Sequence, residues 1–218
     1  MDRFPGYDMT ETTPTGPGDL PPGEEPEQWP DDFGTAALVA ERSYTWRNRS
    51  LYGSGPWDAE PDTLMWPAAA PPHYPCMCWR NHRGVWCGYV AIPADHPLHG
   101  RGYYDLGDVT DGVHGGCTFT NAGVAGTWLF GFDCGHRFDY APGDAAMDRW
   151  LALNDKTFPT RLLRRTEPYV EPPAGTRMAV RYRPLTYARE HAERLALHLA
   201  QVAAGTRALP PPRTEDDE

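Results

Sequence analysis

The chain has 218 residues, of which 40% are hydrophobic and 23% charged, so it can bury the core of one ordinary domain. Its 22 glycines and 24 prolines are too many for a helical bundle and indicate a loop-rich domain. The sequence has no apolar run of about 18 residues and no secretory signal at its N-terminus, so we expect a cytoplasmic protein with no membrane partner.

The formal net charge of −10 is carried by the two ends of the chain. Residues 1–35 hold nine acidic residues and one basic residue, and residues 205–218 hold four acidic and two basic residues. Acidic, proline-rich segments bury too little apolar surface to offset the entropy that they lose on ordering. We therefore predict disordered tails over 1–34 and 205–218, and a single domain over 35–204.

The residues between these ends, 36–204, are electrically balanced, with 17 acidic and 17 basic side chains. A balanced domain lacks the excess of cations that neutralises phosphates, so we expect no nucleic-acid partner. One group of arginines is interpreted either as a local basic patch or as a solvated face. These arginines are Arg161, Arg164, Arg165, Arg177, Arg181 and Arg183.

The first part of the domain, 35–75, is predicted to be mostly irregular. Residues 35–42 have the apolar content of a short helix, and the rest of the segment is rich in proline. It is also rich in aromatic side chains, so we expect it to wrap the core formed by 76–204 and to cover a sheet edge. These aromatic residues include Tyr44, Trp46, Trp57 and Trp66.

The next part of the chain has the pattern of paired strands. Residues 76–80 and 85–92 predict a hairpin whose turn uses Gly84, and the second strand is apolar on both faces, as is typical of a central strand. Residues 117–120 and 127–133 predict two further strands, which a short glycine-containing connection makes antiparallel neighbours. The aromatic residues on one face of the last strand are Trp128, Phe130 and Phe132.

The C-terminal part is predicted to form a helix over 144–153, a strand over 178–182 and a long helix over 187–203. The first of these has its apolar stripe at Met147, Trp150 and Leu151. The long helix is predicted to begin at the N-cap Thr186 and to stop at Gly205. These elements indicate an α+β domain with a mainly antiparallel sheet of about four to five strands and helices packed on one face. The apolar stripe of the long helix is Ala188, Ala192, Leu195, Leu199 and Val202.

Polar residues flank the two neighbouring strands of the predicted hairpin. His114 precedes the strand that begins at Cys117, and His136 follows the strand that ends at Asp133. Since antiparallel neighbours bring these ends to one edge, we predict that His114, Asp133, His136 and Asp139 converge on one cleft. There Asp133 is expected to orient an imidazole that serves as general base, metal ligand or ligand anchor. The alternative is that Asp133 caps a turn and that the histidines are structural.

Metal binding is a second interpretation of the same region. An odd number of cysteines in a cytoplasmic protein argues against disulfides. The four residues His114, Cys117, Cys134 and His136 have the ligand types of a zinc site. Their flanks are not the compact turns of structural zinc sites, so isolated buried thiols are favoured over zinc. Two more histidines, which can line the same cleft, are His96 and His99.

Several short motifs resemble an uncharacterised family of proteins encoded by tailed bacteriophages. They are, in chain order, Trp86-Cys-Gly-Tyr-Val90, Ile92-Pro, His96-Pro-Leu-His-Gly100, Val113-His-Gly-Gly116 with Thr118, and Phe130-Gly-Phe-Asp-Cys-Gly-His136 with Asp139. The resemblance covers about 76–203 and implies a phage origin, a C-terminal helix and a shared site to which Gly115, Gly116 and Thr118 belong. Because relatives carry an apolar residue at the position of Cys117, it also argues against a four-ligand zinc site.

The favoured hypothesis is a phage-encoded accessory protein, acting in the host cytoplasm, that binds a host protein or a small metabolite, for example in counter-defence. The sequence contains no nucleophile elbow and no phosphate-binding glycine loop, so serine hydrolases and the familiar nucleotide-binding folds are excluded. One alternative is a minor virion component. The other alternative is a small metal-dependent hydrolase that uses His114, Asp133, Cys134, His136 and Asp139.

Overall fold

The computed structural model describes residues 33–34, 41–45, 49, 52–154, 169–176 and 179–209. Several sequence-based predictions lie outside these residues. They are the disordered tails over 1–32 and 210–218, most of the helix over 35–42, and the arginines at 161, 164, 165 and 177. Phe33, the first described residue, is buried against the sheet, so the folded domain begins before the predicted boundary at 35.

In the described part of the chain, six strands form one antiparallel sheet, one or two strands more than predicted. Their spatial order is β1-β2-β3-β4-β6-β5. Together with two α-helices, the sheet confirms the predicted α+β class. The strands are β1 (Arg42–Tyr44), β2 (Thr63–Pro67), β3 (Pro75–Arg80), β4 (Trp86–Ile92), β5 (Phe119–Ala122) and β6 (Trp128–Asp133).

The segment predicted to be irregular, 35–75, contains two of these strands. In β2, Thr63 lies opposite Trp79 of β3, so the segment covers the edge of β3 by extending the sheet. The sequence does not reveal β2 because its apolar residues are buried on both faces and therefore do not alternate with polar ones. Prolines within and around this short run also weaken the strand signal.

Strand β4 is the central strand that the sequence predicts. Trp86, Val90 and Ile92 belong to the larger hydrophobic cluster on one face of the sheet. Cys87 and Tyr89 belong to a second cluster on the opposite face. The predicted β3–β4 turn is confirmed at Gly84, whose φ of +74° is readily adopted only by glycine.

The long helix α2 (Leu185–Ala203) packs on β3 and β4 and buries its predicted apolar stripe. Its C-terminal stop at Gly205 is confirmed: φ is +69°, and the amide of Gly205 donates to the carbonyl of Val202 over 3.0 Å. The predicted N-cap is wrong, because Thr186 lies inside the helix and Pro184 occupies the cap position without a side-chain bond. No helix in the described ranges is both long and apolar enough to cross a bilayer.

The N-terminus of α2 is held by the side chain of Glu60, which is 125 residues earlier in the chain than Leu185. The carboxylate of Glu60 accepts the amide of Leu185 at 2.7 Å. It also accepts hydrogen bonds from the guanidinium of Arg80 at 2.9 Å, the indole of Trp86 at 3.1 Å and the hydroxyl of Tyr182 at 2.5 Å. A negative charge at this point also complements the helix dipole. Glu60 therefore replaces the local cap that the sequence lacks.

Two C-terminal elements differ from their predictions. Helix α1 (Pro142–Asn154) exists, but the residues that it buries among its described side chains include Ala145 and Ala146, whereas Met147 and Leu151 are only half-buried. The side chain of Trp150 lies outside the description. The described part of the predicted strand 178–182 makes one parallel bridge, between Arg181 and Asp139, in place of a strand. Because Asp139 belongs to the predicted cleft, this bridge helps to position that cleft.

Candidate functional site

The two predicted histidines meet at one edge of the sheet. Strands β5 and β6 are antiparallel neighbours, with Phe119 opposite Gly131, so the start of β5 and the end of β6 lie together. The ring centroids of His114 and His136 are 5.0 Å apart, and their planes are inclined by 70°. The convergence that the hairpin connection predicts is therefore present in the structure.

Asp139 is the carboxylate that joins these histidines. Its Oδ2 lies 2.8 Å from Nε2 of His114 and 3.5 Å from Nδ1 of His136. The same oxygen accepts the backbone amide of His136 at 3.0 Å, while Oδ1 accepts Nε of Arg183 at 2.7 Å. The backbone bridge to Arg181 fixes the position of this side chain, which is only 1% exposed.

The surroundings of Asp139 keep its carboxyl group ionised. Burial alone raises the pKa, since it penalises the charged form. The hydrogen bonds from His114 and Arg183 oppose burial and outweigh it, so the pKa lies below the usual value of an aspartic acid. The site therefore contains a buried negative charge at neutral pH.

Helix α2 supplies the other side of the cluster. The hydroxyl of Tyr187 is 2.9 Å from Nδ1 of His114, and Nδ1 of His191 accepts the backbone amide of His114 at 3.1 Å. The guanidinium of Arg183 lies over the Tyr187 ring at 4.9 Å. Both nitrogens of the His114 ring therefore have partners, and the ring is fixed in orientation.

Sequence reasoning missed Tyr187 and His191 and assigned Arg183 to a surface patch. A signal was available for two of them, because positions 187 and 191 are spaced by four residues in the predicted helix and so lie on one line along it, and Arg183 comes just before that helix. This line runs beside the apolar stripe at Ala188 and Ala192, where polar side chains are only partly solvated. The other described arginine of the patch, Arg181, pairs with Glu171 at 2.8 Å.

Asp133 does not take the role that the sequence predicts. Its carboxylate accepts the hydroxyl of Thr118 at 3.1 Å and the amide of Gly135 at 2.9 Å. Asp133 therefore caps the turn after β6, which was the alternative interpretation, and Asp139 holds the imidazole instead. The hydrogen bond from its hydroxyl places Thr118 beside Asp133, not beside the histidines. The predicted glycines, Gly115 and Gly116, have φ of +65° and +75° and shape the loop that carries His114.

The structure does not bring the cysteines into the metal-ligand set. Among the described residues, the group able to hold an ion is His114, His136 and Asp139, whose ligand atoms all lie within 4.8 Å of one another. Burial raises the pKa of Cys117 to about 12 and raises the pKa of Cys134 well above its ordinary value. Both thiols are buried and free, and neither belongs to that group of ligand atoms. The Cys₂His₂ zinc site, which the sequence made the less favoured alternative, is not formed by the described residues, whose ligand cluster is two histidines and an aspartate.

The remaining two predicted histidines lie elsewhere and have structural partners. His96 is buried, with Nε2 3.0 Å from the carbonyl of Leu199 and with Nδ1 accepting the amide of Leu98 at 3.0 Å. Nε2 of His99 is 3.0 Å from the carbonyl of Gly126. Neither ring lines the cluster around His114.

No family model, curated protein or solved structure matches the chain. The resemblance to a phage-encoded family accordingly stays a prediction. What the site can do follows from the geometry and chemistry of its own residues.

Proposed function

We propose that this protein is a small metal-dependent hydrolase that holds one divalent transition-metal ion with His114, His136 and Asp139. The observation that carries the proposal is the clustering of these three ligand atoms within 4.8 Å. Two imidazoles and one carboxylate form a ligand set typical of catalytic zinc sites, which have three protein ligands and leave one position open.

The ligand separations suit one ion. Ligands at about 2.1 Å from a tetrahedral zinc ion lie roughly 3.4 Å from each other. The Oδ2 of Asp139 is 2.8 Å from Nε2 of His114 and 3.5 Å from Nδ1 of His136, so small rotations of the side chains suffice. An ion at Nε2 of His114 takes the place of the hydrogen that joins this ring to Asp139, and the neutral imidazole can carry its one N–H on Nδ1, beside the hydroxyl of Tyr187.

The residues around the ligands support the same assignment. A metal-bound histidine usually donates its second N–H to a nearby oxygen, which fixes the ring. Nδ1 of His114 has such a partner in the hydroxyl of Tyr187 at 2.9 Å. The carboxylate of Asp139 is likewise oriented by Arg183, which binds the oxygen that faces away from His114. The ligand set therefore has the outer hydrogen bonds that tune metal affinity.

Access to the ion comes from the side of His136. Its side chain is 40% exposed, whereas that of His114 is 12% exposed and that of Asp139 is 1% exposed. When bound, such an ion supplies a water of lowered pKa as nucleophile. In hydrolysis the water oxygen bonds to the acyl or phosphoryl centre, the bond to the leaving oxygen breaks, and the water proton passes to that oxygen.

The test compares His136→Ala with His99→Ala, because both remove a histidine with an exposed ring face outside the core. Calorimetric titration with Zn²⁺ should give one ion per chain for the wild type and for His99→Ala, and no binding at that site for His136→Ala. Unchanged Zn²⁺ binding in His136→Ala contradicts the metal site.

Hydrolysis is tested separately on the zinc-loaded protein, with p-nitrophenyl acetate and p-nitrophenyl phosphate as probes. Turnover that His136→Ala abolishes and His99→Ala retains supports the hydrolase. Zinc binding without turnover of either probe favours the non-catalytic alternative, an accessory protein that binds a host protein or a metabolite through the same residues.

A further inference from the structure

We infer that the metal site, if the proposed function is right, takes the phosphate group of a monoester, and that Arg183 anchors that group. The inference rests on the position of Arg183, on its unused hydrogen-bond donors and on the charge of the loaded site. The three metal ligands alone do not identify a substrate class, whereas an arginine beside them favours a phosphate group.

Arg183 is held in place by two contacts that leave most of its donors available. Its Nε donates to Oδ1 of Asp139 at 2.7 Å, and its guanidinium lies over the ring of Tyr187 at 4.9 Å. The terminal nitrogens, which carry four of the five N–H groups of a guanidinium, make no hydrogen bond with the residues that the structure describes. An arginine fixed in this way needs little further ordering to bind an oxyanion through its planar fork.

The metal ion and Arg183 act on the same part of the site because one carboxylate joins them. Asp139 contributes Oδ2 to the ligand set and Oδ1 to Arg183. The ion and the guanidinium would therefore be separated by one carboxylate, and a phosphate bound to the ion is expected to reach the terminal nitrogens of Arg183. Arg181 cannot serve in this way, since it already donates to Glu171 and to the carbonyls of Pro172 and Pro173.

The charge of the loaded site selects the anion. A divalent ion and Arg183 contribute three positive charges, and Asp139 contributes one negative charge. The next charged residues along α2, Glu190 and Arg194, act on His191 with opposite signs and are left out of this count. Two positive charges remain. A phosphate monoester carries about −1.5 to −2 at pH 7, which matches them, whereas a carboxylate carries only −1.

The experiment titrates inorganic phosphate into the zinc-loaded protein by calorimetry, with Arg183→Gln, Arg183→Lys and the control Arg181→Gln. Zinc titrations of each variant come first, so that phosphate binding is compared at full zinc occupancy. We expect Arg183→Gln to weaken phosphate binding by about tenfold or more, which is the usual effect of losing a charged hydrogen bond. Arg183→Lys keeps the charge and should show a smaller loss, and Arg181→Gln should bind as the wild type does.

Equal phosphate affinity in Arg183→Gln and the wild type, at full zinc occupancy, overturns the role of Arg183. Acetate that binds as tightly as phosphate overturns the choice of a phosphate monoester. Phosphate binding that is equally strong without zinc overturns the charge argument, because Arg183 and Asp139 cancel when no ion is present. Failure of the wild type to bind zinc is a different result, which rejects the proposed function itself.

Discussion

The imidazole of His136 occupies the space that any side chain at position 115 would need. A β-carbon built on Gly115 would lie 2.2 Å from Cε1 of His136, far inside the contact distance of two carbon atoms. At the next residue, Gly116, the nearest atom to a built β-carbon is Oγ1 of Thr110, at 3.6 Å. The two glycines share a positive φ but differ in what they face.

Alanine at these two positions separates backbone strain from ligand displacement. Gly115→Ala and Gly116→Ala should both lower the free energy of unfolding, by roughly 1–3 kcal/mol, because alanine tolerates positive φ poorly. Gly115→Ala must also move His136, so its Zn²⁺ affinity should fall at least about tenfold. Zinc calorimetry and urea unfolding measure the two effects. Equal zinc affinities in the two variants would contradict the close packing of Gly115 on His136.

The two aspartates near the site should differ sharply in zinc binding. Asp139→Asn removes the ligating charge and leaves Arg183 without its counter-ion, so specific Zn²⁺ binding should be lost. Asp133→Asn alters only the turn after β6 and should retain zinc affinity within about threefold, as expected for a group outside the ligand set. A larger loss in Asp133→Asn than in Asp139→Asn would restore the role that the sequence predicts for Asp133.

Glu60→Ala should be strongly destabilising. The substitution removes the acceptor for the Leu185 amide and one carboxylate partner of the fully buried Arg80. Breaking a buried ion pair from one side usually costs about 3–5 kcal/mol. The matched control is Glu171→Ala, which removes the exposed partner of Arg181 and should cost less than about 1 kcal/mol. Similar urea midpoints for the two variants would show that Glu60 does not hold α2.

The environment of His96 should make the free energy of unfolding fall in acid. Its Nδ1 accepts the amide of Leu98, so the folded state favours the neutral ring, and burial lowers the pKa below 6.5. The unfolded state then binds the proton more readily. Stability is fully present above pH 6.5, is lost as the pH falls from 6.5 towards the folded pKa, and levels off below it.

We expect His96→Gln to be less stable at pH 7 and to have a flatter profile between about pH 7 and pH 5, by urea unfolding. His191, whose pKa burial also lowers, accounts for part of the slope that remains. His99 contributes to the lowered pKa of His96, so His99→Gln should flatten the slope less than His96→Gln does. A slope that His96→Gln leaves unchanged assigns the acid sensitivity to other groups.

Leucines on the two faces of α2 should respond differently to truncation. Leu195 is fully buried on the sheet side, so Leu195→Ala should cost about 2–5 kcal/mol. Leu197 is 41% exposed, and Leu197→Ala should cost less than about 1 kcal/mol. Guanidinium unfolding compares the two. A cost below about half a kcal/mol for Leu195→Ala is what surface substitutions usually give. It would mean that Leu195 does not face the sheet.

Local patterns predicted much of the sheet and the meeting of the two histidines. Because the connection between β5 and β6 is short, the two strands are expected to pair antiparallel. That pairing brings His114 next to His136. Strand β2 was missed because residues buried on both faces show no alternation. The length of α2 was predicted closely because its apolar stripe repeats over several turns.

The wrong carboxylate was chosen because the correct one depends on contacts distant in sequence. Asp133 is next to the strand end and looked well placed, but its neighbours in the turn satisfy it. The backbone bridge to Arg181 helps to hold Asp139 beside the histidines, and no local sequence pattern predicts that bridge. Tyr187 and His191 are equally remote from His114 along the chain. The sequence therefore placed Asp139 in the cleft with both histidines, but it assigned the imidazole to the wrong aspartate and missed the two groups on α2.

The contribution of α2 to the site has a consequence for chain completion. Tyr187 and His191 hold His114 only after the last helix has packed on the sheet, so a fragment or nascent chain that stops before Leu185 lacks two of the three contacts of His114 and keeps only the one to Asp139. If the proposed metal site is right, ion binding should therefore be weaker in such a fragment than in the whole chain. By linkage, each tenfold excess of free ion over its dissociation constant adds about 1.4 kcal/mol to the native state. Through Tyr187 and His191, a bound ion would then also strengthen the attachment of α2, so ion availability would affect how well this helix resists proteases.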